Sequence, residues 1–189
     1  CGGVVMAACR RSRTLPHTYN PKAVLPFWAG HPDSRRDEAV TGGALLRIAF
    51  ISDIHANLQA LEAVLAVIDA EGADRLVCLG DIVGYGADPQ ACVELIAERA
   101  RGGAIVVKGN HDAAVANGVA GMSRHAASAI TWTVEQLDGA ARAFLADLPL
   151  AEAEDDRLYV HASPAEPLSW PYILETADAF AAFSATEAR

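Results

Sequence analysis

No apolar run in the chain approaches the roughly 20 residues that a membrane-spanning helix needs. The longest, such as 63–68, stop far short, so no membrane span is expected. The four cysteines, Cys1, Cys9, Cys78 and Cys92, contain no CxxC pair. Cys78 lies in an apolar run that reads as a buried strand, so reduced, structural cysteines are expected rather than disulfides. No apolar segment of signal-peptide length is followed by a cleavage site, which leaves a cytoplasmic location as the default expectation. Basic residues are scarce beyond Arg47. Eight Lys or Arg face 21 Asp or Glu there, against seven facing three up to and including Arg47, within a net charge of −9. An acidic body argues against a grip on a nucleic acid backbone, which needs basic patches. Acids clustered as metal ligands would be partly cancelled by cations, so a small phosphorylated substrate stays open.

What is present suits one folded domain: 189 residues, 52% hydrophobic and 21% charged. Residues 1–45 lack steady periodicity, carry Pro16, Pro21, Pro26 and Pro32, and begin with Cys. They read as an extension or linker, expected to be disordered, ahead of a domain over 46–189. From Arg47 the texture changes. RIAFI at 47–51, RLVCL at 75–79 and the apolar stretch 104–107 read as buried strands, and RLYV at 157–160 as a fourth. Between the first two, Leu58, Leu61, Val64, Leu65 and Ile68 recur at helical spacing, with Asn57 as cap and Gly72 as stop. A second helix is expected from Pro89 through Val93 and Ile96, and others over 126–137, 140–148 and around 177–188. The fold class is therefore α/β, with strands ending in polar residues. In such sheets ligands bind outside the carboxyl ends of the strands.

Those strand exits carry Asp53 and His55, then Asp81, then Asn110 and His111, then His161. A phosphodiester resists hydrolysis because its anionic oxygens repel hydroxide and its leaving alkoxide is poor. Two cations about 3.5–4 Å apart answer both problems. They want hard oxygen donors mixed with imidazole and one carboxylate able to bridge, for which Asp81 is the natural choice. Gly80 and Gly109 precede ligands where a tight turn must bring backbone close. His111 directly follows a ligand, so catalysis rather than ligation is expected of it. Asn57 is a candidate phosphate contact, and Asp112 a helix cap. His125 reads as surface and capping, with a substrate contact as the alternative. Trp132, Phe144 and the aromatic cluster 170–172 read as core or lid packing, with base-stacking platforms as the less favoured alternative. Substrate specificity is expected in the loops 85–89 and 163–172.

Asp53 with His55, Gly80-Asp81, Gly109-Asn110-His111-Asp112 and Val160-His161 together resemble the calcineurin-like metallophosphoesterase superfamily. The wider runs ISDIHANLQAL at 51–61 and LGDIVGYG at 79–86 are similar to its small prokaryotic phosphodiesterase branch, the diadenosine-tetraphosphatase-like proteins. The resemblance covers residue 47 to about 189. It implies a four-layer α/β/β/α sandwich, with Asp53, His55 and Asp81 on one metal and Asp81, Asn110 and His161 on the other. It also implies two divalent transition-metal ions, manganese foremost with iron, zinc or nickel as alternatives, and His111 as the acid or transition-state stabiliser. The implied activity is hydrolysis of phosphodiesters or phosphomonoesters, nucleotide-like small molecules foremost, by attack of a metal-bound hydroxide at a dinuclear site. The alternative is a non-catalytic protein-binding scaffold on the same fold, against which the intact Asp53, Asp81, Asn110 and His111 speak. The family continues into a strand ending in Gly-His-x-His, and no histidine follows His161. The chain is thus expected to be truncated at its C-terminus, with the last strands of the sandwich missing. Oligomeric state is not legible.

Overall fold

The computed structural model describes residues 8–9 and 46–187. The extension expected over 1–45 lies outside the described residues, apart from a two-residue strand, β1 (Ala8–Cys9), which pairs antiparallel with β2 (Ile48–Ile51). β2, β3 (Arg75–Cys78) and β4 (Ile105–Val106) are parallel and adjacent in that order. Period-two alternation splits their side chains between two cores. Ala49, Ile51, Cys78 and Val106 face one cluster, whereas Ile48, Val77 and Val107 face the other with Tyr159.

The first core is covered by helices. α1 (Leu58–Glu71) starts where the Asn57 side-chain oxygen accepts the Ala60 N–H at 3.1 Å, and ends at Gly72, which takes a left-handed φ of 65°. It buries Leu61, Leu65 and Ile68, one face of a 3.6-residue repeat. α2 (Pro89–Arg101) opens on proline, whose missing N–H costs nothing there, and buries Val93 and Ile96. α5 (Gly139–Asp147) adds Ala141 and Leu145 to the same cluster. The second core lies against the antiparallel pair β5 (Ala151–Glu154) and β6 (Arg157–Val160), through Tyr159. Helix, sheet and sheet are thus layered as in the expected sandwich. No helix among the described residues is long and apolar enough to cross a membrane.

Three features depart from the sequence reading. α3 (Asn110–Asn117) starts on a residue expected in a loop. β5 was not expected. Its Ala-Glu-Ala-Glu run has neither β-branched nor aromatic residues, and it is extended because it pairs with β6 across a two-residue turn, Asp155 standing at φ 54°. Of the core or lid packing expected of Trp132 and Tyr172, the core is excluded: they are 41% and 81% exposed. α4 (Arg124–Gln136) and α6 (Thr176–Ser184) fall close to expectation, and Ser123 caps α4 through Ala126 N–H. His125 is exposed on that helix.

Candidate metal centre

The exits of β2 and β3 are folded into unusual backbone. Asp53, His55 and Ala56 adopt φ of 57°, 49° and 55°, and Asp81 adopts 53°. Each such residue costs about 1 kcal/mol or more without compensation. Here the cost is offset by lacing the two loops together. The N–H groups of Asp53, His55 and Ala56 donate to the carbonyls of Gly80, Asp81 and Ile82 at 3.1, 2.9 and 2.9 Å. The third loop is pressed against the second. A Cβ on Gly80 would strike the Gly109 nitrogen, and one on Gly109 would strike Asp81, so only glycine permits this approach.

Asp112 joins the second and third loops. It is fully buried, and one carboxylate oxygen accepts the Ile82 and Val83 N–H groups at 2.9 and 3.3 Å while the other accepts Gly109 N–H at 2.9 Å. Burial raises its carboxyl pKa against the pull of those three donors. The cap expected of Asp112 is therefore also a cross-link. Asp112→Ala leaves three buried donors without acceptors, at about 1–3 kcal/mol each before relaxation. A loss of about 3 kcal/mol in urea-unfolding stability is expected, and a loss below about 1 kcal/mol would mean that water or a shifted loop replaces the carboxylate.

The donors converge on Asp81. Its Oδ2 lies 3.8 Å from His55 Nε2 and 3.6 Å from His161 Nε2, while Oδ1 accepts the His111 backbone N–H at 2.9 Å. Asp53 Oδ1 stands 3.7 Å from His55 Nε2, and Asn110 Oδ1 3.2 Å from His161 Nε2. Both histidines are held from behind, His55 by Nδ1 to the Val83 carbonyl at 3.2 Å and His161 by Nδ1 to the Leu79 carbonyl at 2.7 Å. A ring that donates Nδ1–H to a carbonyl presents the Nε2 lone pair to the centre, the arrangement that suits a metal ligand. Two sets of donor atoms each lie within 4.8 Å of one another: His55, Asp81 and His111, and Asp53, Asp81 and His161. Burial, then the Asp112 carboxylate, push Asp81 up to about 8 in the metal-free chain. A buried carboxylate that resists ionisation until a cation arrives, surrounded by imidazole nitrogens and oxygen donors, fits divalent metal ions.

His111 is brought to the same place. Its ring lies 4.8 Å from His55 and 4.7 Å from Tyr85, and its Nδ1 is buried without a partner among the described residues. A Cβ on Gly84 would run into that Nδ1. Burial, then the His55 and His161 charges, push the His111 pKa down to about 4. Asn57 spends its side-chain oxygen on capping α1, which leaves only its amide N–H groups for a phosphate. Sequence reasoning placed Tyr85 in a specificity loop and Trp170 in core or lid packing. Tyr85 packs on His55 at 4.9 Å and Trp170 on His161 at 5.9 Å. The signal for Tyr85 was its position between Gly84 and Gly86, and Trp170 lies in the other loop expected to set specificity, 163–172.

Known proteins resemble this chain in sequence and in fold. The family model described as calcineurin-like phosphoesterase matches residues 46–176. The uncharacterised protein MJ0912 of Methanocaldococcus jannaschii is 42% identical over 136 residues, 67% of this chain and 53% of that protein. A metallophosphoesterase of known structure from Sphaerobacter thermophilus superposes with a TM-score of 0.62 at 41% identity, over 76% of this chain and 57% of that one. Protein PH1004 of Pyrococcus horikoshii OT3 superposes with a TM-score of 0.61 over 71% and 63%, and at 22% identity supports the fold alone. The chain spans about half the length of the curated relative it matches. With the match extending over most of the domain and taking in all four strand exits, the chain belongs to the calcineurin-like phosphoesterase family.

Proposed function

We propose that this chain hydrolyses phosphoric esters of small, nucleotide-like molecules at a centre for two divalent cations. The observation that carries this reading is the position of Asp81 Oδ2 between the Nε2 atoms of His55 and His161, where one carboxylate can serve two ions. Asp53, His55 and Asp81 would hold one ion, and Asp81, Asn110 and His161 the other, with manganese as the proposed occupant of both. When bound, such cations neutralise the anionic phosphate oxygens and lower the pKa of an attacking water.

The chain's own contribution is orientation and charge. The Val83 and Leu79 carbonyls fix the two imidazoles, and Ser52 Oγ, donating to Asp53 Oδ2 at 2.7 Å, fixes the first carboxylate. His111 is neutral at pH 7 and keeps one ring N–H to donate to a phosphoryl oxygen as negative charge gathers there. The excess of acids over bases in the domain disfavours nucleic acid as substrate. Cys78 and Cys92 are buried free thiols, with pKa values pushed up to about 12, Cys78 and Cys92 alike mainly by burial; this agrees with the proposed cytoplasmic setting.

The test is turnover of bis(4-nitrophenyl) phosphate and 4-nitrophenyl phosphate by the full chain with manganese, after chelation, and after manganese is restored. Hydrolysis that vanishes with the chelator and returns with the metal is expected. Two equivalents of bound metal with no turnover of either ester would favour a binding scaffold instead.

A further inference from the structure

Six non-glycine residues at the centre share the left-handed backbone region: Asp53, His55, Ala56, Asp81, Tyr85 and Trp170. The first four belong to the loops that present donor atoms. Tyr85 (φ 65°) and Trp170 (φ 52°) supply no donor to the cluster, yet bear the same strain. Strain of that kind persists where the surroundings impose it, and it gathers at functional sites. Its result here is the placing of two aromatic rings. Tyr85 flanks the His55 and His111 rings, at interplanar angles of 68° and 52°. Trp170 flanks His161, whose Nε2 lies 3.6 Å from Asp81 Oδ2, at 72°. Neither ring lies parallel to its imidazole: these contacts are edge-on or tilted rather than stacked. Tyr85 is 46% exposed, and Tyr172, two residues beyond Trp170 in the chain, is 81% exposed.

Aromatic side chains open in part or in full to solvent, beside a polar, charge-neutralising centre, match a ligand with one charged end and one flat apolar end. We propose that Tyr85, Trp170 and Tyr172 form a subsite that stacks the nucleobase of a nucleoside phosphate ester whose phosphorus lies at the Asp81 centre. This rests on the phosphoesterase reading above and narrows its substrate class. Stacking is tolerant of base identity, because every base has a π-face, so the subsite selects nucleosides over simple alkyl esters without selecting among bases.

Two esters with the same leaving group separate the parts: thymidine 5′-(4-nitrophenyl) phosphate and methyl 4-nitrophenyl phosphate, with manganese and the full chain. The ratio of their kcat/KM values is expected to favour the thymidine ester by about tenfold or more. Trp170→Ala with Tyr172→Ala should bring that ratio close to one, and Trp170→Phe should keep most of it. Tyr172→Ala alone, at an exposed position, keeps the comparison usable if the Trp170 variant does not fold. A ratio that is unchanged in the variants overturns the subsite. Faster turnover of a phosphotyrosyl peptide than of the thymidine ester, with the same dependence on Trp170, overturns the nucleobase in favour of a tyrosyl ring. If neither ester is turned over, the phosphoesterase reading has failed, and equilibrium dialysis then tests the subsite by itself. Manganese-loaded protein should bind adenosine 5′-monophosphate about tenfold more tightly than ribose 5-phosphate. Equal affinities would overturn the subsite.

Discussion

Asp81→Asn is expected to abolish metal-dependent ester hydrolysis and, in the chelator-treated protein, to raise the melting temperature at pH 8 by roughly 4–8 °C. Both effects have one cause. Asp81 is 3% exposed, with Oδ1 on the His111 N–H and Oδ2 facing two imidazoles. Without cations its carboxyl is pushed from 3.8 up to about 8 by burial and then by Asp112. The folded chain therefore keeps a proton that the unfolded chain has released. With a raised folded-state pKa, the stability this group contributes is complete below about pH 4 and is lost as pH climbs through about 8. A displacement of that size corresponds to at most about 6 kcal/mol, and relaxation of the buried pair leaves about 2 kcal/mol usable. Asparagine is uncharged throughout and keeps an acceptor for the His111 N–H, so it removes the pH-dependent cost. Melting curves of both proteins at pH 5 and pH 8 decide the matter. The two should differ little at pH 5 and diverge at pH 8; parallel behaviour at both would show that the metal-free centre does not confine charge on Asp81. In the native protein the same proton must leave when metal enters, so manganese affinity should rise with pH toward 8.

The candidate site residues were legible because they depend on short-range rules. A buried parallel strand reads as an apolar run, and the residues just beyond its end are delivered to the carboxyl edge of the sheet. Asp53, His55, Asp81, Asn110, His111 and His161 could therefore be gathered from strand exits alone. Helices α1 and α2 were legible for similar reasons, through the Asn57 cap, the Gly72 stop and Pro89 at the first helical position. The features that escaped depend on contacts distant in sequence. β5 is a strand only because β6 is beside it, and α3 begins at Asn110 because Asp112 reaches back to the Gly109 N–H while also holding the loop after β3. Trp170 meets His161 through a loop whose path depends on a short 3₁₀ turn and a left-handed residue, neither of which its sequence advertises. Cross-linking by Asp112 and the aromatic rim are therefore properties of the assembled loops rather than of any one segment.

His111→Ala is expected to lower kcat by about 10²–10⁴-fold while leaving bound metal unchanged, and it is the retained metal that would distinguish a catalytic group from a ligand. The His111 ring is 5% exposed, its backbone N–H is committed to Asp81, and its Nδ1 has no partner among the described residues. Two roles compete for such a ring. Its donor atom lies within 4.8 Å of those of His55 and Asp81, which puts ligation within reach. Against that, it lacks the carbonyl that fixes Nδ1 of both His55 and His161, so it is not oriented as those two proposed ligands are. Its pKa near 4 means that the imidazole is neutral at pH 7; the stability this brings is complete above about 6.5 and is lost as pH falls through 4. A neutral ring donates a hydrogen bond to a phosphoryl oxygen but does not hand over a proton, so no His111 limb should appear in the kcat profile between about pH 6 and 8. Metal content measured beside turnover separates the roles. A fall in rate with both ions retained identifies a group acting on the phosphate, whereas loss of an ion together with the rate makes His111 a ligand. A fall of less than about tenfold with metal intact would remove it from the chemistry and leave the work to the cations and the two carbonyl-anchored histidines.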